Sequence, residues 1–429
     1  MYLMNTMNNN LILTDAQQTA LTWMKRGYNT FLTGPAGTGK STVISLFQLQ
    51  YPGKIAITST TGVSALLIRG STIHSFAGIG LGEESVQTLI RKIKLKPFFV
   101  RRWKQVDCIV IDEISMMKPE LLEKLNIIAQ IFRNNPAPFG GIQLILTGDF
   151  AQLPPVYIDE DEANRKFCFE SPIWPKLIEK TVHLIEIVRQ SDAVFRKCLL
   201  EIRLGNISKE TINIIKSRLL ENGIKSVEPR NGILPTRLFS RRNDVQSINN
   251  KCTAKLKAKG NKVQIYHAIV QGLNETVKEK INKSCPVPSE LELVVGAQVM
   301  LVFNVDTAGG LVNGSRGVII ELDDMGPTVR FLNGREEQIG PTKWEFIEND
   351  KVVSFKSQIP FITAYACTIH KTQGATLDYA MVDAGPSVFE FGQIYTALSR
   401  VRTLEGLLLL KFDPDKIACH PKVFDFYTK

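Results

Sequence analysis

The chain has 429 residues and a mass of 48.0 kDa, which at roughly 100 to 200 residues per domain excludes a single small domain or a disulfide-stapled peptide. Hydrophobic residues make up 44% and charged residues 22%, enough apolar surface for sizeable cores, so global disorder is excluded. The net charge of +10 is uneven: residues 201–285 hold 17 Lys/Arg against 7 Asp/Glu, and residues 91–104 (RKIKLKPFFVRRWK) hold seven basic and no acidic residues. Such segregation points to a polyanion partner, with solvated helix faces as the alternative.

No apolar run approaches the roughly 18 residues of a membrane-spanning helix, and the start, MYLMNTMNNN, lacks a signal-peptide pattern. A soluble intracellular protein is expected, without a membrane partner, and cytoplasmic if the host is bacterial. The seven cysteines are scattered without CxxC spacing, and no HExxH occurs. Reduced thiols follow, with no disulfide framework and no metal held by protein ligands alone.

In chain order, strand-like runs at 30–33 (TFLT), 54–59 (KIAITS), 108–112 (CIVID) and 142–149 (IQLILTGD) alternate with helical stretches. This pattern predicts a parallel sheet with helices on both faces. From about Val263 to Val353 the candidate strands are short and separated by VNGSRG, DDMGP and LNGREE, which predicts a small antiparallel barrel or sheet. Sheet-and-helix character resumes with FITAYACTIHKTQG, YAMVDA and LEGLLLLKF. The predicted organisation is a first α/β domain over 1–180, a second over 181–262 and 354–429, and a small all-β, barrel-like insert over 263–353.

The strand at 30–33 runs into Gly34-Pro-Ala-Gly37-Thr38-Gly39-Lys40-Ser41, a match to G-x-x-x-x-G-K-[ST], and a helical stretch follows. Glycines let the backbone wrap phosphate oxygens, while N–H groups at the helix start and the Lys40 ammonium supply positive potential; Ser41 would ligate Mg²⁺. A second apolar strand ends in Asp112 and Glu113. Asp112 can hold Mg²⁺, and Glu113 can orient and deprotonate an attacking water. A third ends in Asp149 and Gln152, where Gln152 reads either as a sensor of the γ-phosphate or as a turn residue before Pro154-Pro155. Together these predict hydrolysis of a nucleoside triphosphate with Mg²⁺ as cofactor.

Longer strings carry a resemblance. Residues 58–82 (TSTTGVSALLIRGSTIHSFAGIGLG), 110–116 (VIDEISM), 138–156 (PFGGIQLILTGDFAQLPPV), 296–306 (GAQVMLVFNVD), 368–377 (TIHKTQGATL) and 395–401 (YTALSRV) resemble, in order, the petite-integration-frequency DNA helicases of superfamily one. The resemblance implies two RecA-like P-loop NTPase-type domains with ATP between them, and 5′ to 3′ movement on single-stranded DNA. By position in these motifs, Gln17 reads adenine, Gly374 belongs with the nucleotide-binding residues, and Arg189 and Arg400 are arginine fingers. DNA contacts are implied for Thr60, Thr61, His74 and Phe76 in the first domain, and for Thr368, His370 and Lys371 in the second. The Phe76 ring either stacks on a base or packs in the core. Arg242 and Asn243, in the basic SRRND segment, are expected on the DNA wall, and a strand-separating wedge is expected in a small insert at about 65–76.

One stretch departs from the family. Its signature reads roughly Asp-Lys-Leu-Asp followed by two arginines, whereas this chain has Glu123-Lys124-Leu125-Asn126, then Gln130 and Arg133. The charge-paired roles of that helix are therefore in question. A long N-terminal extension is absent, so a minimal helicase core is expected, acting as a monomer or as a dimer on DNA at single/double-strand junctions. Replication, repair and recombination are the implied settings. The presence of Glu113 with both arginines argues against a protein that uses ATP only as a conformational ligand.

Overall fold

A reciprocal cap opens the first helix, α1 (Asp15–Lys25): Thr14 Oγ1 accepts the Gln17 N–H at 3.3 Å, and Gln17 Oε1 accepts the Thr14 N–H at 3.1 Å. Asp15 in the first turn and Lys25 in the last complement the helix dipole. The computed structural model describes residues 12–68, 70–157, 165–220, 227–272, 275–306, 309–348 and 351–429. The chain divides into two units, Met1–Arg189 and Gln190–Lys429.

In the first unit, β1 (Thr30–Thr33) leads through the glycine-rich loop to α2 (Lys40–Gln50), then to β2 (Ile55–Ser59), α3 (Gly62–Leu67), β3 (Ser71–Thr72) and α4 (Ile73–Ala77). Next come α5 (Val86–Lys94), α6 (Pro97–Gln105), β4 (Cys108–Asp112), α7 (Pro119–Arg133), β5 (Gln143–Gly148), α8 (Trp174–Leu177) and β6 (Lys180–His183). The six strands form one sheet in the order β3-β2-β4-β5-β1-β6, and every pairing is parallel. Strands β1, β4 and β5 are buried at every position, which is why they read as unbroken apolar runs. Val43, Ile44 and Phe47 of α2 pack with Leu32, Val110 and Ile145 in one core. Each such fully buried side chain contributes roughly 2 to 3 kcal/mol.

Two expectations change here. The first unit continues past residue 180, because β6 pairs with β1 and the segment after it returns to the glycine-rich loop. Only Val182 of β6 is buried, so this edge strand left little hydrophobic signal. Nor do residues 65–76 form a separate insert: β3 pairs with β2 through Thr58↔Ser71 and Ser59↔Thr72, and α4 buries Ile73, Phe76 and Ala77. Arg69 lies outside the described residues.

The second unit starts with α9 (Ala193–Leu204) and α10 (Lys209–Lys216), then β7 (Thr236–Phe239) and the basic helix α11 (Arg242–Ala258). An antiparallel region follows: β8 (Val263–His267), β9 (Ile269–Gly272), α12 (Glu275–Ser284), β10 (Glu290–Val294), β11 (Gln298–Leu301), β12 (Arg316–Asp323), β13 (Gly326–Phe331), β14 (Glu336–Gln338), β15 (Thr342–Glu348), β16 (Lys351–Gln358) and β17 (Phe361–Thr363). These strands form three sheets, β14-β13-β12-β11-β17, β15-β16-β9 and β10-β8. The insert therefore runs beyond Val353, since β16 ends at Gln358 and β17 pairs with β11. Finally β18 (Ala366–Thr368), β19 (Ala380–Ala384), α13 (Gln393–Leu398), β20 (Leu407–Phe412) and α14 (Pro421–Thr428) close the chain. A parallel sheet, β18-β7-β19-β20, forms the second core. This is the α/β class with RecA-like parallel sheets that the sequence implied, but the antiparallel insert is not all-β, since α12 lies between β9 and β10.

Candidate nucleotide and nucleic-acid site

Parallel strands end on a common edge, and in open α/β sheets ligands bind outside those carboxyl ends. In the first unit the register aligns Thr33 with Gly148, Asp112 with Ser59, and Ser59 with Thr72. The glycine-rich loop, the acidic pair, Asp149 with Gln152, the Thr60-Thr61 segment and His74 consequently all leave the sheet on one side.

The loop from Gly34 to Gly39 needs its glycines. Gly34 has φ +146°, and a Cβ there would collide with the Leu184 carbonyl oxygen; at Gly39, φ +83°, a Cβ would sit 2.6 Å from Gln17 Nε2. Gly39 also caps α2, so the N–H groups at the helix start face the loop. Lys40 Nζ donates to the carbonyls of Gly34 at 2.7 Å and Pro35 at 2.9 Å, which keeps its ammonium over the loop. Gln17, the expected adenine reader, is buried and donates from Nε2 to Thr38 O at 3.0 Å while its Oε1 completes the α1 cap. It buttresses the phosphate loop as well as standing beside it. Gly37 O accepts the N–H groups of Val188 at 2.8 Å and Arg189 at 3.1 Å. The sequence placed Arg189 on the second domain; the structure keeps it in the first unit, with its main chain tied to the phosphate loop.

Asp112 is buried, and burial together with the neighbouring Glu113 charge pushes its carboxyl up to about 7, opposed by the Glu113 N–H and by Lys40. A buried acid short of positive charge fits a divalent cation, and Ser41, exposed at the start of α2, offers the hydroxyl. Among the described residues no cluster of three or more His, Cys, Asp or Glu could hold a metal unaided. Asp112 and Ser41 could hold Mg²⁺ together with substrate phosphates. Glu113 adopts a left-handed conformation, φ 55° and ψ 44°, which costs a non-glycine residue roughly 1 to 2 kcal/mol. Gln152 is buried with its N–H on Asp149 O at 2.9 Å and its amide 3.5 Å from Asp149 Oδ2.

Of the first unit's expected DNA contacts, Thr60 and Thr61 are half-buried. The Thr60 hydroxyl donates to Glu113 O at 2.9 Å, and that of Thr61 to Ser64 Oγ at 2.8 Å. His74 is half-buried, and burial holds its imidazole below the ordinary range. Phe76 departs from the stacking expectation: its ring is buried edge-on to Trp103, at 5.4 Å, beneath the Arg102 guanidinium. Arg102 donates to Ser75 O and Phe76 O at 3.1 and 2.7 Å, and Trp103 Nε1 donates to Ala77 O at 3.2 Å, so α6 clamps α4. Phe99 and Trp103, from the same basic stretch, are core residues.

In the altered signature helix α7, the residues that match the signature bond to main chain. Lys124 Nζ donates to Gly82 O at 2.8 Å, and Arg133 reaches Gly140 O at 2.8 Å and Val106 O at 3.0 Å. At the substituted positions, Glu123 accepts the Ser171 hydroxyl, Asn126 accepts the Phe139 N–H, and Gln130 donates to Pro136 O, each at 2.8 Å.

In the second unit, Thr368 pairs beside Phe239, and the Ile369 N–H bonds Phe239 O at 3.0 Å. The Arg242-Asn243 and Thr368-Ile369-His370-Lys371 segments thus leave neighbouring strand ends. Arg242, Asn243 and Lys371 are exposed. Thr368 Oγ1 accepts the Lys371 N–H at 3.3 Å, and burial, then the nearby Arg242 charge, lowers the His370 imidazole. Helix α11 has no buried residue, and Asn249 fixes it to β18 by exchanging bonds with Ala366 O and N at 3.0 and 2.9 Å. Gly374 lies in the turn after buried Gln373. Arg400 donates to Thr396 O at 3.0 Å and Ser399 Oγ at 2.9 Å. Gln190, not singled out in the sequence, donates to Ser399 O and Val401 O at 3.0 and 2.9 Å and so braces both sides of Arg400. Its position next to Arg189 was the only signal.

A parallel-sheet edge carrying a glycine-rich phosphate loop and an acidic strand end, followed by a second parallel sheet, defines the class as a P-loop NTPase-type motor. The PIF1-like helicase model matches residues 12–213, and the model for the 2B domain of the DNA helicase Pif1 matches residues 276–322. The crystal structure of Pif1 helicase from Candida albicans is 37% identical, covering 98% of this chain and 99% of its own, with a TM-score of 0.77. Bacteroides Pif1 in complex with ADP-AlF4 is 26% identical, covering 98% and 97%, with a TM-score of 0.83. The ATP-dependent DNA helicase PIF1 of Xenopus laevis is 40% identical over 97% of this chain, which spans 64% of that relative's length. The chain belongs to the PIF1-like helicase family, as its motifs implied.

Proposed function

We propose that this chain is an ATP-dependent DNA helicase that moves 5′ to 3′ along single-stranded DNA and separates duplex at the junction. The observation that carries the reading is the shared carboxyl edge of the first sheet, where the phosphate loop, Asp112-Glu113, Gln152 and the Thr60-Thr61 segment all emerge. Membership of the PIF1-like family supports it.

In this reading the Gly34–Gly39 loop and Lys40 hold the triphosphate and stabilise charge that develops on the transferred phosphoryl group. Ser41 and Asp112 would hold Mg²⁺, which neutralises phosphate charge when bound. Glu113 orients the attacking water and accepts its proton, and Gln152 registers the γ-phosphate. Arg189 and Arg400 supply positive charge to the transition state, while Gln17 and Gly374 belong to the nucleotide's surroundings. Arg242, Asn243, His370 and Lys371 grip the strand on the second unit, where buried Thr368 supports their turn by accepting the Lys371 N–H, and Thr60, Thr61 and His74 grip it on the first. Phe76 serves by packing under Arg102.

The test is steady-state ATP hydrolysis with and without an oligo-dT strand. Turnover should rise at least about tenfold when the strand saturates. Equal turnover in both conditions contradicts a DNA-driven motor.

A further inference from the structure

Glu113, the residue after β4, has a left-handed conformation, φ 55°, which a glutamate keeps only where its surroundings hold it. On one side stands Gly148 of β5, where a Cβ would lie 3.0 Å from Ile114 N. On the other, Thr58, Ser59 and Thr60 lay three successive hydroxyls on β4 and its turn. Thr58 donates to Val110 O at 2.6 Å, Ser59 to Asp112 O at 3.2 Å, and Thr60 to Glu113 O at 2.9 Å. Thr58 and Ser59 are fully buried, whereas Thr60 is half-exposed. Of the three residues, only Thr60, whose hydroxyl bonds the Glu113 carbonyl, is partly open to solvent.

A threonine hydroxyl has one proton to donate. While Glu113 O accepts it, a phosphate oxygen does not; a phosphate that takes it removes this tie from the turn. We propose that Thr60 is a one-proton switch, in which the DNA backbone competes with the Glu113 carbonyl for the Thr60 hydroxyl. Strand binding then frees the turn bearing the catalytic carboxylate from its resting pose. Thr60 is in this sense a positioning residue that acts through Glu113. The switch rests on the function proposed above, in which Glu113 activates water and Thr60 faces DNA.

Thr60→Val keeps the side-chain shape and removes the proton, while Thr60→Ser keeps the proton. ATP hydrolysis by the full chain is measured with and without saturating oligo-dT, together with KM for ATP and binding of a fluorescent ADP. Thr60→Val should raise DNA-free kcat about threefold or more and cut the stimulation factor to less than about half, with KM for ATP within about twofold. Thr60→Ser should match the unmodified chain. A DNA-free kcat that stays level or falls in Thr60→Val, or a Thr60→Ser that behaves like Thr60→Val, overturns the switch. If Thr60→Val binds no ADP, Thr60→Ala is judged by the same criteria; loss of ADP binding in both makes the hydroxyl a structural tie and overturns the switch. An unmodified chain that hydrolyses no ATP in either condition overturns the functional reading itself.

Discussion

At the carboxyl edge of the first sheet the polar side chains are committed to the backbone around them: Gln17 to Thr38, Lys40 to Gly34 and Pro35, Thr60 to Glu113. At the corresponding edge of the second sheet, Arg242, Asn243 and Lys371 extend into solvent from α11 and the turn after β18. Both are carboxyl edges of parallel sheets, and their physical chemistry is opposite. Buried, pre-oriented groups with a perturbed acid, as at Asp112, suit a reaction whose charge must be met without reorganisation. Solvated cations suit a ligand that binds through phosphate charge and counterion release.

The largest effect should come from breaking the first edge. Lys40→Ala or Glu113→Gln should lower DNA-stimulated turnover by about 10²-fold or more, while oligo-dT affinity by fluorescence anisotropy stays within about threefold. A turnover loss matched by a similar loss of DNA affinity would erase the distinction between the edges. Next in size, Gly148→Ala, whose new Cβ would press on Ile114 N beside Glu113, should lower kcat about tenfold with little change in KM for ATP.

A smaller and complementary effect is expected at the second edge. Replacing Arg242 and Lys371 together by alanine should weaken oligo-dT binding and make its log–log salt dependence shallower by about 0.7 per lost phosphate contact. Turnover at saturating DNA should change by less than about twofold, and a steep kcat loss would place these residues in the chemistry instead. The smallest effect concerns pH. Burial, then Arg242, holds His370 below its ordinary 6.5, so between that lowered value and 6.5 the unfolded chain binds more protons than the folded one. The His370 contribution is therefore intact above 6.5 and lost progressively as pH falls through this window. Urea midpoints at pH 7.5 and 5.5 should differ less for His370→Gln than for the unmodified chain.

The phosphate loop, Asp112-Glu113 and the buried strands β1, β2, β4 and β5 were legible in the sequence because each is a contiguous string whose chemistry or burial shows in its own residues. Pairing across distance was not. The bond from Thr60 to Glu113 joins residues 53 positions apart, and nothing in TSTT distinguishes a hydroxyl aimed at DNA from one aimed at a neighbouring carbonyl. Phe76 shows the same ambiguity, since an aromatic facing a base and one packed under Arg102 share a local pattern. Strand β6 was missed because an edge strand with one buried residue has little hydrophobic signature, and the domain boundary moved with it. The partners of α7 were likewise out of reach of the sequence, since Glu123, Asn126 and Gln130 bond Ser171, Phe139 and Pro136 in other loops.

The most direct measurement is strand displacement by the full chain with ATP, on one duplex carrying a single-stranded 5′ tail and on another carrying a 3′ tail. Unwinding of the 5′-tailed duplex that requires ATP and disappears in Lys40→Ala is the expected result. Preference for the 3′ tail, or release of strand without ATP, would contradict a 5′ to 3′ motor driven from the first unit's phosphate site.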